Sequence, residues 1–453
     1  MARLQARRVV MAYRRIMLCF SVLLLALSAH ARVIAHDWFV APDGSDHAEG
    51  TLDAPLATLM KAQDKASSGD TVYIRGGVYH LSATDIATSD GIYTVVNDIV
   101  KDRISYVAYG EEVPVFDFSA VRPFQRRVTA FQVRCKGCIF RGFQVVHVQI
   151  TIAHRHTQSE AFRVQGGSGN LFERLSIHDG MGIGWYLVSG GHNTVRNVDA
   201  YHNYGLDEES NGNIDGFGAH PRSALDQGNS IEGSRAWFNT DDGFDLINAQ
   251  ASVTITHCWA FYNGYDSDFT PLGDGNGFKA GGYGANGGPY PHPVPRHVVM
   301  FSLAVGNRVN GFYANHHVGG QTWINNTAIG NRGANFNMLS VLDDNRTNVP
   351  GYGHIMKNNV GYAGRVEVSS LGSAEENDVS FNYFTLPMTI ERADFVSLDP
   401  RELMAPRQRD GDLPDIRFAH LARGSEAIDA GRDVGEAFHG KAPDLGAFES
   451  HWP

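Results

Sequence analysis

The sequence predicts an all-β chain wound as a right-handed parallel β-helix, with a short N-terminal capping helix and an irregular C-terminal tail. Three observations support this prediction. Glycine is abundant, at 50 of 453 residues, and short β-rich runs punctuated by Gly and Asn dominate from about residue 70 onward, while long amphipathic helical patterns are scarce. A pattern Ala-x-x-Asn recurs five times: Ala200-Tyr-His-Asn203, Ala236-Trp-Phe-Asn239, Ala260-Phe-Tyr-Asn263, Ala304-Val-Gly-Asn307 and Ala328-Ile-Gly-Asn331. The tripeptide Asp/Asn-Gly-Phe occurs four times, starting at Asp215, Asp242, Asn276 and Asn310.

The five Asn positions are separated by 36, 24, 44 and 24 residues, which a 24-residue unit with insertions of 12 and 20 accounts for. A unit of that length suits one coil of a parallel β-helix, a few short strands joined by turns. Asn at a recurring turn tolerates the left-handed conformation, and its amide can hydrogen-bond the Asn of the next coil. Leucine-rich repeats have similar periods, but their Leu/Asn consensus is absent. A propeller needs longer blades and aromatic-acid signatures that are also absent.

Taken in order, residues 1–31 read as a secretory signal. Arg3, Arg7, Arg8, Arg14 and Arg15 precede an apolar stretch from Ile16 to Leu27, and Ala29-His-Ala31 follows as the cleavage site. The apolar stretch is too short for a good spanning helix. Residues 32–453 are expected to form a single domain, with a cap at about 37–70, coils at about 71–365 and a tail at about 366–453. In the cap, Pro55-Leu-Ala-Thr-Leu-Met-Lys-Ala62 has apolar residues at helical spacing, as a plug over the open end of the solenoid requires. The tail, closing with Pro443-Asp-Leu-Gly-Ala-Phe-Glu449, is expected to pack back along the coils.

Loss of the five signal arginines takes the formal net charge from −11 to −16. Such a protein repels nucleic acid and anionic membrane, and it repels an acidic polysaccharide unless a cation bridges the two. Export leaves Cys135, Cys138 and Cys258. Two further zinc ligands at suitable spacing are missing, so the first two read as a structural pair or as inert thiols.

The candidate site lies in the Asp/Asn-Gly-Phe repeat. With Phe244 and Phe278 in the core, strand alternation turns Asp241, Asp245 and Lys279 outward, and register sets Lys279 about 4.8 Å from Asp245. The same alternation turns Asp215 and Asp242 inward unless the following Gly rotates them. Taken singly, each feature has a plain reading: stacked Phe and a bend, a solvated turn or structural Ca²⁺ site, a surface lysine. Together, four carboxylates converging beside a lysine call for a hard cation, and oxygen-only ligation favours Ca²⁺. Ca²⁺ with a lysine base and no nucleophile triad suits β-elimination of a uronate polymer, in which the weakly acidic proton α to the carboxylate is removed and the 4-position glycosidic bond breaks.

At Asn239-Thr-Asp-Asp-Gly-Phe-Asp245, Asn276-Gly-Phe-Lys279 with Gly281-Gly282, and Asn213-Ile-Asp-Gly-Phe217, the chain resembles the family 9 polysaccharide lyases, best known as pectate lyases. The resemblance implies that Asp215, Asp241, Asp242 and Asp245 hold a catalytic Ca²⁺ and that Lys279 is the base. It leaves the polymer open: pectate or polygalacturonate first, with rhamnogalacturonan, alginate or a glycosaminoglycan-like chain as alternatives. Arg222, Tyr283, Tyr313 and His316 lie near the site in register and are the candidate substrate contacts, Arg222 through a bidentate bond to a uronate. A non-catalytic glycan-binding β-helix with structural Ca²⁺ is the competing class. The acidic polysaccharide is the expected partner, with no nucleic acid, no membrane and the protein as a monomer, secreted or periplasmic.

Overall fold

The computed structural model describes residues 35–451, and the chain from Asp37 onward forms one compact unit. The secretory signal, residues 1–31, lies outside the described residues. Three long parallel sheets run along the molecule. The first has 12 strands, from Asp37–Val40 to Asp378–Ser380; the second has 10, from Gly77–His80 to Val360–Tyr362; the third has 11, ending at Val366–Ser369. Each coil visits them in that order, so the fold is the expected parallel β-helix. The one antiparallel pairing within the three sheets joins Thr88–Asp90 to Tyr93–Ile99 at the start of the third.

The interior is built from columns of like residues one coil apart. Phe217, Phe244, Phe278, Phe312 and Phe336 stack face to face with ring centroids 4.8 to 5.1 Å apart, and all five are fully buried. The repeated Asn residues also stack. Asn203 donates its side-chain amide to Asn239 at 3.0 Å, Asn239 to Asn263 at 3.0 Å, Asn263 to Asn307 at 3.1 Å and Asn307 to Asn331 at 3.0 Å. The left-handed conformation belongs to the residue before each Asn, namely His202, Phe238, Tyr262, Gly306 and Gly330. That residue turns the chain, and the Asn that follows is free to satisfy buried backbone groups.

The N-terminal helix spans Leu59–Lys65, a few residues later than its apolar pattern suggests. Thr58 caps it by accepting from the Lys61 amide at 3.1 Å, while Leu56 bridges in parallel to Val40 and so stays extended. Leu59, Ala62 and Gln63 face the core. Cys135 and Cys138 are joined in a disulfide and Cys258 is a buried thiol. The tail docks on the second sheet, where Asp199 receives Arg235 and Arg407 at 2.7 Å each and Arg235 also reaches the carbonyls of Leu403 and Ala405.

Insertions fall at two corners of the coil. Those between the second and third sheets (residues 118–126, 147–158, 202–216 and 262–277) and those between the third and first (residues 220–228, 280–297 and 338–354) rise on either side of the third sheet. That sheet is therefore the floor of a cleft.

Candidate active site

The cleft floor is one outward-facing register column of the third sheet: Arg163, Tyr186, Gly218, Asp245, Lys279, Tyr313, Asn337. Lys279 pairs with Asp245 across adjacent strands, as the repeat requires, and Phe244 pairs with Phe278 beneath them. The Lys279 Nζ lies 3.1 Å from Asp245 Oδ2 and 2.9 Å from Asp242 Oδ2.

Asp215, Asp241 and Asp242 sit just ahead of the strands, in the corner that enters the third sheet. Strand alternation does not govern that corner, so the inward turn expected of Asp215 and Asp242 does not arise. Instead they continue a ladder of their own. The Asp242 amide donates to Asp215 Oδ1 at 3.1 Å; Asn276 donates backbone and side-chain N–H to Asp242 Oδ1, each at 2.7 Å; Asn310 donates its side-chain amide to Asn276 Oδ1 at 2.8 Å. The glycine after each is fixed by close approach: a Cβ on Gly243 would stand 2.7 Å from the Gly277 carbonyl oxygen and 2.9 Å from the Asn263 amide nitrogen. Asp241 Oδ1 accepts from the Asp274 amide at 3.2 Å, and Asp245 Oδ1 from Ile247 at 2.7 Å.

One carboxylate oxygen from each of Asp215, Asp241 and Asp242 lies within 4.8 Å of the other two, and all three residues are buried. Solvent exposure, expected for Asp241, Asp245 and Lys279, is therefore replaced by burial at the foot of the cleft, with 14% of the Lys279 side chain accessible. Burial and the neighbouring aspartates hold the Asp215 and Asp241 carboxyls well above the usual range. Burial raises Asp242 as well, against the pull of Lys279. Burial opposes the Lys279 charge, but Asp242, Asp245, Asp241 and Asp215 outweigh it and push the ammonium well above its ordinary value. Apart from the Lys279 ammonium at 2.9 Å, Asp242 Oδ2 has no polar partner among the described residues. Three crowded, mutually repelling carboxylates with spare oxygen lone pairs fit a hard divalent cation held by oxygen.

Tyr313 stands one coil beyond Lys279, half-buried, with burial pushing its phenol up to about 12. His316 lies edge-on to Tyr313 at 6.0 Å and shares a 2.7 Å hydrogen bond with Asn348. Arg222 is exposed on the opposite corner, near Tyr186 and His220. Tyr283 is not brought to the site: it is buried against His317 and Tyr290, and its hydroxyl donates to the Ala249 carbonyl at 3.1 Å. Two contributors went unmarked in the sequence reading. Asn276 buttresses Asp242, and its place one coil further along the tripeptide repeat was the available signal. His220 lies with Nε2 3.9 Å from Asp245 Oδ2 and its ring edge-on to Tyr186 at 5.2 Å; burial holds its pKa below the ordinary value. No spacing rule pointed to it.

A family model described as "Pel9A-like, right handed beta helix region" matches residues 38–359. The chain belongs to this family. Pectate lyase L of Dickeya chrysanthemi is 34% identical over 423 residues, covering 91% of this chain and 90% of that protein. Pectate lyase PEL9 of Emericella nidulans is 28% identical, covering 87% of this chain and 94% of that one. A solved structure titled rhamnogalacturonan lyase aligns with a TM-score of 0.83 at 41% identity, over 86% of this chain and 97% of that one. The crystal structure of pectate lyase Pel9A aligns at 0.73 and 31%, over 91% and 96%. As a member of the Pel9A-like family, the chain is a polysaccharide lyase, as its motifs implied.

Proposed function

We propose that the protein is a Ca²⁺-dependent lyase of a uronate-containing glycan, acting by β-elimination with Lys279 as the base. The observation that carries this reading is the pairing of a largely covered lysine with a carboxylate cluster between the corner loops that flank the third sheet. Asp215, Asp241 and Asp242, with Asp245 beside them, would hold the cation. Bound there, Ca²⁺ would offset the carboxylate charge and stabilise the negative charge that develops on the substrate carboxylate. Lys279, once its amine is neutral, would take the proton α to that carboxylate. Asp245, tied to the backbone through Ile247, keeps the Lys279 side chain aimed into the cleft. Tyr313 and His316 flank the base on one side and Arg222 lies on the other, as contacts for neighbouring sugars.

Polygalacturonate is the first candidate substrate, in line with the relatives named pectate lyase. A rhamnogalacturonan backbone is the second reading, favoured by the 41% identity to the structure carrying that name. Export through the N-terminal signal is part of the same proposal, and no helix among the described residues is long and apolar enough to cross a membrane. The test is absorbance of the unsaturated product across a polymer panel, with and without chelator. Activity confined to one polymer and abolished by chelator is expected. Lys279→Ala should lower kcat by about 10²–10⁴-fold, the span of a general base. Full activity in that variant would sink the mechanism, and binding without cleavage of any polymer would favour a glycan-binding role.

A further inference from the structure

The described chain is acidic overall, yet residues 118–159 contain no Asp or Glu while holding six Arg, one Lys and three His. Some of these cations are spent elsewhere: Arg134 pairs with Asp98, Arg141 with Glu173 and His147 with Asp117. Arg122, Arg126, Arg127 and Arg155 have no carboxylate within salt-bridge distance among the described residues. Arg127 stacks on Tyr93, but Arg122 and Arg155 are exposed and Arg126 is half-exposed. Phe124, between Arg122 and Arg126, is 85% exposed.

Arg122, Phe124 and Arg126 lie on one corner loop and Arg155 on the next, the loops that enter the third sheet at Arg127–Val133 and Ser159–Gln165. The loops are tied together, since Thr151 Oγ1 accepts from the Arg126 amide at 2.9 Å and Thr157 Oγ1 from Arg127 Nε at 2.7 Å. The second loop is tied in turn to the corner that bears Asp215. The His154 amide donates to Asp207 at 2.6 Å, and Asn213 bonds Gln158. One wall therefore runs without a break from a basic end to the aspartate cluster. Along the third sheet, the basic loops stand three to four strands from Asp245, about 14–19 Å at the usual strand spacing.

We propose that this basic wall binds the distal part of the same anionic glycan, several sugar residues from the bond that breaks, with Arg122, Arg126 and Arg155 meeting its carboxylates and Phe124 a sugar face. The inference rests on the uronan reading of the cleft. Charge complementarity points to this occupant: a polymer held at the aspartate cluster and extended along the floor toward Arg127–Val133 meets a stretch of wall rich in cations that have no carboxylate partner among the described residues. The electrostatic gain falls on long chains and at low salt.

The test combines Arg122→Gln, Arg126→Gln and Arg155→Gln in the full protein. On long polygalacturonate at low ionic strength, KM should rise about tenfold with kcat unchanged, and the salt dependence should flatten. On a galacturonate trisaccharide, kinetics should stay within about twofold of the parent. The matching three Arg→Lys changes should restore the polymer KM. Equal losses on trisaccharide and polymer, or no change on the polymer, would overturn the proposal. A separate arm uses Lys279→Ala protein in gels containing polygalacturonate, where retardation is expected and the triple change should abolish it. That arm reads binding even if no polymer is cleaved, so failure of the lyase reading is seen separately, as absence of unsaturated product from the unaltered protein. Retention by anionic lipid vesicles rather than by the polysaccharide would assign the wall to a membrane and overturn the proposal.

Discussion

At the scale of single residues, the site is a problem of uncompensated charge. Asp215 Oδ1 accepts the Asp242 amide, a bond that an Asn oxygen would make equally well; Asn276 and Asn310 hold the equivalent positions two and three coils further on. The charge on Asp215 is thus unnecessary for folding and costly without a cation. Its carboxyl pKa is raised by burial and then by Asp241, Asp245 and Asp242. A carboxyl raised in the folded state favours folding at low pH and opposes it once pH exceeds the unfolded value near 3.9. Asp215→Asn is therefore expected to raise the melting temperature at neutral pH in chelator, to shrink the increment that Ca²⁺ provides, and to lower activity at least tenfold. Thermal melts with and without Ca²⁺ decide it; a lower melting temperature in chelator would show that the carboxylate itself supports the fold. The residues of this cluster were legible because the tripeptide repeat supplied their register. Their burial was not, because alternation describes strands and the aspartates occupy a corner.

At the scale of elements, corner ladders hold the short strands together. Two-residue strands such as Phe244–Asp245 and Phe278–Lys279 make few ladder bonds of their own, so side chains at the corners satisfy the remaining buried groups. Asn263 donates to the Ala236 carbonyl at 3.0 Å and to Asn307, and it accepts from the Asn239 side chain at 3.0 Å, all fully buried. Asn263→Ala leaves several buried partners unmet, each worth about 1–3 kcal/mol. A loss of roughly 3 kcal/mol or more is expected from urea unfolding midpoints, and a change below about 1 kcal/mol would mean that water replaces the amide. This ladder was visible because Ala-x-x-Asn is a regular pattern. A second ladder at the corner entering the first sheet was not, because its members vary: Asn170, Asn193 and Asn229 are followed by Val253, His297, Gln321, His354 and Asn377. His and Asn side chains do the same work there, while Val253 takes part only through its backbone amide. His297 Nδ1 accepts from the Val253 amide at 3.2 Å and His354 Nδ1 from the Gln321 amide at 3.1 Å.

At the scale of the whole molecule, that substitution of His for Asn ties stability to pH. The solenoid was legible as a fold because each coil repeats the last; the insertions were legible as departures from the 24-residue spacing, but their conformations were not, since irregular loops repeat nothing. Beneath the wall formed by residues 280–297, three histidines are buried. Burial holds His317 and His354 at about 4, and His297 well below the ordinary value. Each is neutral in the fold and charges readily when the chain unfolds. A group with a depressed folded pKa contributes stability that is complete above the unfolded value near 6.5 and is lost as pH falls toward 4. For His354 the full loss is roughly 3 kcal/mol, at about 1.4 kcal/mol per tenfold change in proton affinity. The aspartates of the site, raised in the fold, work in the opposite direction over an overlapping range, so the wild-type profile alone mixes the two. His354→Asn separates them. Asn serves this ladder at Asn229 and Asn377, and its oxygen can accept the Gln321 amide in place of Nδ1. The aspartate contribution cancels in the difference between the two proteins. Urea midpoints should therefore converge as pH falls from 7.5 to 5, with the variant losing less stability than the wild type. Parallel profiles across that window would mean that His354 takes up its proton without unfolding, and that this corner of the solenoid admits water.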